Sequence, residues 1–122
     1  MIAFDHLGIA AYDARASALW LAEILGSSEP VADGADGDMF RIDLAHGAFV
    51  LFSSSAAPGF EHVAFRVDNA RFAEVVERLR ARGIAFGNDP EDPRNGRTDD
   101  PLGGAGRAYF VDPNGHLFEV TC

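Results

Sequence analysis

Cysteine is almost absent from this chain. The only one, Cys122, stands at the last of 122 positions, so no intrachain disulfide can form and a reducing, cytoplasmic setting is expected. Basic residues are scarce as well: 10 Lys plus Arg face 19 Asp plus Glu, for a net charge of −9. That is the wrong sign for neutralising the phosphates of a nucleic acid or an anionic membrane surface, so neither is an expected partner. Long apolar runs are missing too. The longest, Ala18 to Ala22 and Ala48 to Phe52, have five residues each, far short of the roughly 20 that span a bilayer. No basic residue precedes Arg15 and no extended apolar stretch lies near the N-terminus, so a secretory signal is not expected. What remains is 48% hydrophobic and 24% charged, with Phe supplying 10 of the aromatics, the composition of a globule with one apolar core.

The chain repeats itself. Residues 4 to 10 are FDHLGIA and residues 60 to 66 are FEHVAFR, so aromatic, acid, His, aliphatic and small residue recur in order at an offset of 56. Each copy is followed by an acid and a helical stretch closed by glycine: Asp13, 14 to 25 and Gly26, then Asp68, 70 to 82 and Gly83. Alternating apolar runs predict strands at Phe4 to Ala10, Met39 to Leu44, Gly47 to Ser53, Phe60 to Val67, Arg107 to Val111 and Gly115 to Thr121. Shorter strands are expected around Glu29 to Ala32 and Ile84 to Phe86. The expected fold is therefore α+β: two tandem β-α-β-β-β modules, residues 1–55 and 58–122, within one domain spanning 1–122. The segment Gly87 to Gly106, long, polar and rich in glycine and acids, is expected to be a loosely held loop beside Tyr109 that borders a pocket.

Strand periodicity sorts the polar side chains, because residues i and i+2 share a sheet face. Val63, Phe65 and Val67 form the side a helix can cover, leaving His62, Ala64 and Arg66 opposite, and His6, Gly8 and Ala10 repeat that set. On the last strand Phe118 and Val120 face the helix while Glu119 faces away. His6, His62 and Glu119 thus share the face that no helix covers. Two imidazoles and a carboxylate are a facial-triad donor set for one divalent metal ion (Fe, Mn, Zn, Ni or Mg), which leaves positions open for substrate. Taken singly, each histidine also suits a structural role and Glu119 a solvated one; the joint placement is what points to a metal. Arg41 and Arg66 read as carboxylate binders or solvated rim charges, and Met39 and Phe49 as an apolar wall. His46 reads as solvated, and His116 shares the helix side with Phe118.

These motifs, DHLGI at 5 to 9, EHVAF at 61 to 65 and YFVDPNGHLFEV at 109 to 120, resemble the vicinal oxygen chelate superfamily of glyoxalases, bleomycin resistance proteins and dioxygenases, over nearly the whole chain. The resemblance implies paired modules curling into an open, mixed-sheet half-barrel around one metal, with His6, His62 and Glu119 as ligands and Glu119 and Tyr109 acting in catalysis, in a homodimer working on a small molecule. Tyr109, ten residues before Glu119, takes its role at the substrate, as a hydrogen-bonding or wall residue, from the family resemblance carried by 109 to 120. It implies a metal-dependent enzyme that chelates an oxygen-rich substrate through two oxygens, by isomerase, lyase, dioxygenase or addition chemistry. The alternative is a metal-free, ligand-sequestering protein of the bleomycin-binding type, whose members typically lack the histidine pair. Three departures narrow the branch. Leu51 stands where a glyoxalase I would carry a further acidic ligand. The histidine expected of an extradiol dioxygenase near Asp100 to Leu102 is missing, and no basic tail of the thiol-transferase kind follows Glu119.

Overall fold

The computed structural model describes residues 1–122 and divides into two compact units, Met1–Gly59 and Phe60–Cys122. The chain is α+β, with two helices and two mixed sheets, neither of which closes on itself. No helix is long and apolar enough to cross a membrane.

In the first unit, β1 (His6–Ala11), β2 (Val31–Asp33), β3 (Met39–Asp43) and β4 (Phe49–Ser54) form a sheet in the order β1-β4-β3-β2. β1 and β4 run parallel and the other pairs antiparallel. Between β1 and β2 lies α1 (Ala14–Leu25), which starts where the Asp13 side chain accepts a hydrogen bond from the Ala16 amide and stops where Gly26 turns left-handed at φ 68°. Its buried face joins the small Ala14, Ser17, Ala18 and Ala22 to the larger Leu21, Ile24 and Leu25, and the sheet's buried residues Ile9, Ala11, Ile42, Val50 and Phe52 complete the core.

In the second unit, β5 (His62–Arg66), α2 (Asn69–Ala81), β6 (Arg107–Val111) and β7 (Leu117–Thr121) repeat the plan with one strand fewer, in the order β5-β7-β6. β5 and β7 are parallel, β7 and β6 antiparallel. Asp68 caps α2 by accepting from the Arg71 amide, and Phe72, Val75, Val76 and Leu79 form its buried stripe, as the periodicity predicts. The β6–β7 turn is tied by Asp112, whose Oδ1 accepts from the amides of Asn114 and His116.

Two expectations need correction. The short strand around Ile84 to Phe86 does not form. Its place is taken by one bridge at Gly87, which exchanges both backbone hydrogen bonds with Tyr109 before the chain turns away into the Asn88-Asp89-Pro90 cluster. Nor is the loop from Gly87 to Gly106 loosely held. Asn88 and Asn95 bond side chain to side chain at 2.9 Å, Asn88 also donates to the Asp99 carbonyl at 2.9 Å, and the Gly96, Ala105 and Arg107 amides find carbonyls on Phe86, Cys122 and Thr98. Two of its glycines serve close approach instead of freedom: a Cβ on Gly87 would fall 2.8 Å from the Asp92 carbonyl oxygen, and one on Gly104 would fall 2.9 Å from that of Cys122.

Candidate functional site

The second unit carries the denser cluster. Register sets Ala64, Glu119 and Tyr109 side by side across β5, β7 and β6, with Arg66, Thr121 and Arg107 in the next row of the same face. Glu119 is buried, only 4% exposed, and both of its oxygens are engaged. Oε1 lies 2.9 Å from Nε2 of His62, and Oε2 pairs with Nη1 of Arg107. The same guanidinium bonds Asp100 through Nε at 2.8 Å, with Nη2 at 3.4 Å from the second Asp100 oxygen. Asp100 is in turn held by the amides of Leu102 and Gly104, at 2.9 and 3.0 Å. The Arg107 hydrogen bond first, then the Leu102 amide, keep the Asp100 carboxyl below the ordinary aspartate range against an opposing effect of desolvation. Asp100, one of the acids of the long loop, is almost fully covered, with a side chain 3% exposed.

His62 keeps much of its ring open at 44% side-chain exposure, and the Tyr109 ring leans beside it with centroids 5.9 Å apart. The start of its strand is fixed from below. His116, fully buried, accepts the Glu61 amide on Nδ1 at 3.0 Å, while the Leu117 amide bonds the Glu61 carbonyl. Arg66 lies exposed on the same strand face as His62. Loop residues Asp92, Asn95, Arg97 and Leu102, with Arg107 and Tyr109, line a pocket of about 700 Å³ within this unit.

In the first unit, the face not covered by α1 presents His6 and Phe49 as register partners, their rings stacked 4.8 Å apart and 6° from parallel. Asp5 lies 2.5 Å from Nδ1 of His6. The Arg41 guanidinium sits 3.9 Å over Phe49, bonds Asp43 at 2.6 Å and approaches Asp33 at 3.7 Å, so it reaches this face already paired with acids. Met39 pairs with Asp33 in register, and its Cε lies over Gly34. Leu51 pairs with Gly8 as Glu119 pairs with Ala64, so the apolar residue occupies the carboxylate's place in the repeat. Neither unit by itself gathers three His, Cys, Asp or Glu side chains at metal-holding distance.

The repeat of chain order and register is matched by comparison with known sequences: residues 3–120 fit the profile of the Glyoxalase/Bleomycin resistance protein/Dioxygenase superfamily. The chain belongs to that superfamily. Another similar protein, the fosfomycin resistance protein FosX of Listeria monocytogenes serovar 1/2a, is 26% identical over 127 residues, covering 95% of this chain and 86% of FosX. Among solved structures, the oxidase ChaP-H1 superposes with a TM-score of 0.90 at 30% identity, over 99% of this chain and 95% of its own. The oxidase ChaP-H2 gives 0.86 at 33% identity, over 98% and 92%. A FosX structure complexed with Mn(II) and sulfate shares the superfamily fold at a TM-score of 0.71 and 20% identity, over 100% and 91%.

Reasoning from sequence missed two members of the cluster, Arg107 and Asp100. The signal for Arg107 was available: it lies two residues before Tyr109, and on a strand that spacing puts both on one face. Nothing comparable marks Asp100, whose burial depends on the path of the loop.

Proposed function

We propose that this chain is a metal-dependent enzyme that holds a small, oxygen-rich substrate through two neighbouring oxygens on one divalent ion, with His6, His62 and Glu119 as protein ligands. The observation that carries the reading is the 2.9 Å spacing of His62 Nε2 and Glu119 Oε1. Two donors each about 2.1 Å from an ion and at right angles to one another stand roughly 3.0 Å apart, so the pair suits adjacent positions on one ion. Asp5 supports a ligand role for His6: a carboxylate on Nδ1 fixes the tautomer and leaves Nε2 as the lone-pair nitrogen. The ion acts, when bound, as a Lewis acid that polarises the substrate oxygens and stabilises developing negative charge. Fe, Mn, Zn, Ni and Mg all suit such a donor set, and the Mn(II) of FosX supports a divalent ion of this kind.

This chain's own groups do the rest. Tyr109, which lines the pocket and leans beside His62, orients a substrate there and can pass it a proton from its hydroxyl. Arg66 supplies positive charge for an anionic substrate, and Phe49 and Met39 an apolar wall. Isomerisation, ring opening, addition and oxygenation all use such a site, and the oxidase relatives lend weight to the last. The exposed Phe4 and Phe60, 64% and 65% open at matching places in the repeat, support a homodimer, and a single thiol in Cys122 a cytoplasmic location.

One observation favours a second reading. Both oxygens of Glu119 are satisfied by Arg107 and His62 with no ion involved, as a metal-free, ligand-sequestering protein of the bleomycin-binding type would require. Elemental analysis of protein purified without chelator separates the two. Near one divalent ion per chain, lost in a His62→Ala, Glu119→Ala double variant, is the expected result. An ion-free protein that also takes up none of the five metals on titration refutes the enzyme reading, and so does full loading in the double variant.

A further inference from the structure

We propose that Arg107 is the positioning residue of the metal centre: anchored by the buried Asp100, it ties down Oε2 of Glu119 and so presents that carboxylate as a ligand through Oε1 alone. The proposal rests on the metal-centre reading above.

The guanidinium is shared between two carboxylates in a fork that only arginine can make, with Nε on Asp100 and Nη1 on Glu119. All three side chains are nearly dry, at 13%, 3% and 6% exposure for Arg107, Asp100 and Glu119. Asp100 cannot follow a wandering arginine, because the Leu102 and Gly104 amides each hold one of its oxygens. Two buried carboxylates around one guanidinium leave one negative charge uncompensated. The oxygen that Arg107 leaves free is Oε1, the one that faces His62 Nε2. A cation is therefore wanted at that oxygen, and the second oxygen is closed to it.

The repeat supplies an internal control. Leu51 takes the place of Glu119 in the first unit, and Met39, two residues before Arg41, takes that of Arg107, two residues before Tyr109. Where the carboxylate is absent, its clamp is absent too. A carboxylate confined to one oxygen consumes one coordination position instead of two, which leaves room for a substrate that binds through two oxygens of its own.

The test uses the full-length protein with Co(II), whose visible absorption follows coordination number, and a competing chromophoric chelator to measure affinity. The main variant is the double substitution Arg107→Met, Asp100→Asn, which copies Met39 and leaves the net charge of the cluster unchanged. With circular dichroism and melting temperature close to wild type, its affinity for Co(II) is expected to fall about 10–100-fold, as for other residues that orient metal ligands. At saturating metal its absorption is expected to weaken and shift as the freed carboxylate oxygen joins the ion. Arg107→Lys keeps the charge but not the fork, and covers the case in which the double variant fails to fold; the same spectral shift with a several-fold loss of affinity is expected. Wild-type spectrum and affinity in a folded variant overturn the clamp. If wild type itself binds no Co(II), or Glu119→Ala binds it unchanged, the metal-centre reading fails first and the clamp with it.

Discussion

Gly87 and Gly8 make a matched pair, because alanine has room at one and none at the other. An ideal Cβ on Gly87 would stand 2.5 Å from Asn95 Oδ1, 2.8 Å from the Asn95 nitrogen and 2.8 Å from the Asp92 carbonyl oxygen. Two of those neighbours are backbone, so relief requires residues 92–95 to move. The Gly96 amide bond to Phe86 and the Asn88–Asn95 side-chain pair are anchored beside that segment and would be strained with it. Overpacking of this kind costs ~1–3 kcal/mol and a weakened hydrogen bond ~1, against ~0.5 gained from a stiffer unfolded chain. We expect Gly87→Ala to destabilise by roughly 1.5–3.5 kcal/mol. At an unfolding entropy of about 2.1 cal/mol/K per residue, 122 residues amount to about 0.26 kcal/mol/K, so Tm falls by roughly 6–14 °C. A Cβ on Gly8 meets nothing within 4 Å, and Ala64 already occupies the matching place in the repeat. Gly8→Ala should therefore gain ~0.5 kcal/mol, or roughly 2 °C. Paired calorimetric melts decide the matter. The reasoning is refuted if Gly87→Ala melts within 2 °C of wild type, or if Gly8→Ala falls as far as Gly87→Ala.

Acid stability should report on Asp100. Its carboxyl is held below its ordinary value by Arg107 and then by the Leu102 amide, so its contribution is complete above the unfolded value of about 3.9 and is lost as pH falls through the lower, folded one. In urea unfolding measured between pH 6 and 2, Asp100→Asn should flatten the fall at the acid end, and equal slopes in the two proteins would count against it. His116→Phe keeps the edge-on contact with Phe118 but removes the acceptor of the Glu61 amide, so faster hydrogen exchange at Glu61 and a loss of roughly 1–2 kcal/mol are expected. Wild-type exchange at that amide would show that His116 does not hold the start of β5.

Much of this geometry is legible in the sequence because a strand obeys a period of two. His62 and Glu119 fall on one face by counting alone, the offset of 56 extends the count to His6, and aligning GAFVLF at 47 to 52 with GHLFEV at 115 to 120 exposes Leu51 as the odd member. Helix ends are equally local, since Asp13, Asp68 and Gly26 act on backbone groups within a few residues. The features that escaped are those set by the path of an irregular loop, which has no period to count by. Asp100 looks like any acid in a polar loop until Arg107 covers it, and Gly87 looks like a flexible joint until Asp92 and Asn95 press against it. The repeat itself misled at Ile84 to Phe86, where a strand in one half is replaced by a single bridge in the other, because the loop draws the chain away after Gly87. His116 lies on the helix side as its position implies, but its partner, the amide that precedes His62, comes from a strand 55 residues back.

The parallel pairing of the first and last strands in each unit has a consequence for how the chain folds. In the second unit, β5 and β7 meet only after α2, the long loop and β6 have been accommodated between them, and the His62–Glu119 contact closes a segment 57 residues long. Closing such a loop costs about 3.5 kcal/mol in chain entropy by the logarithmic rule, before any contact offsets it. No hairpin or partial fragment short of residues 62–119 can hold both side chains. The two would come together late, on the time scale of long-range strand pairing, so capture of an ion by the pair would mark completion of the unit and could not nucleate it.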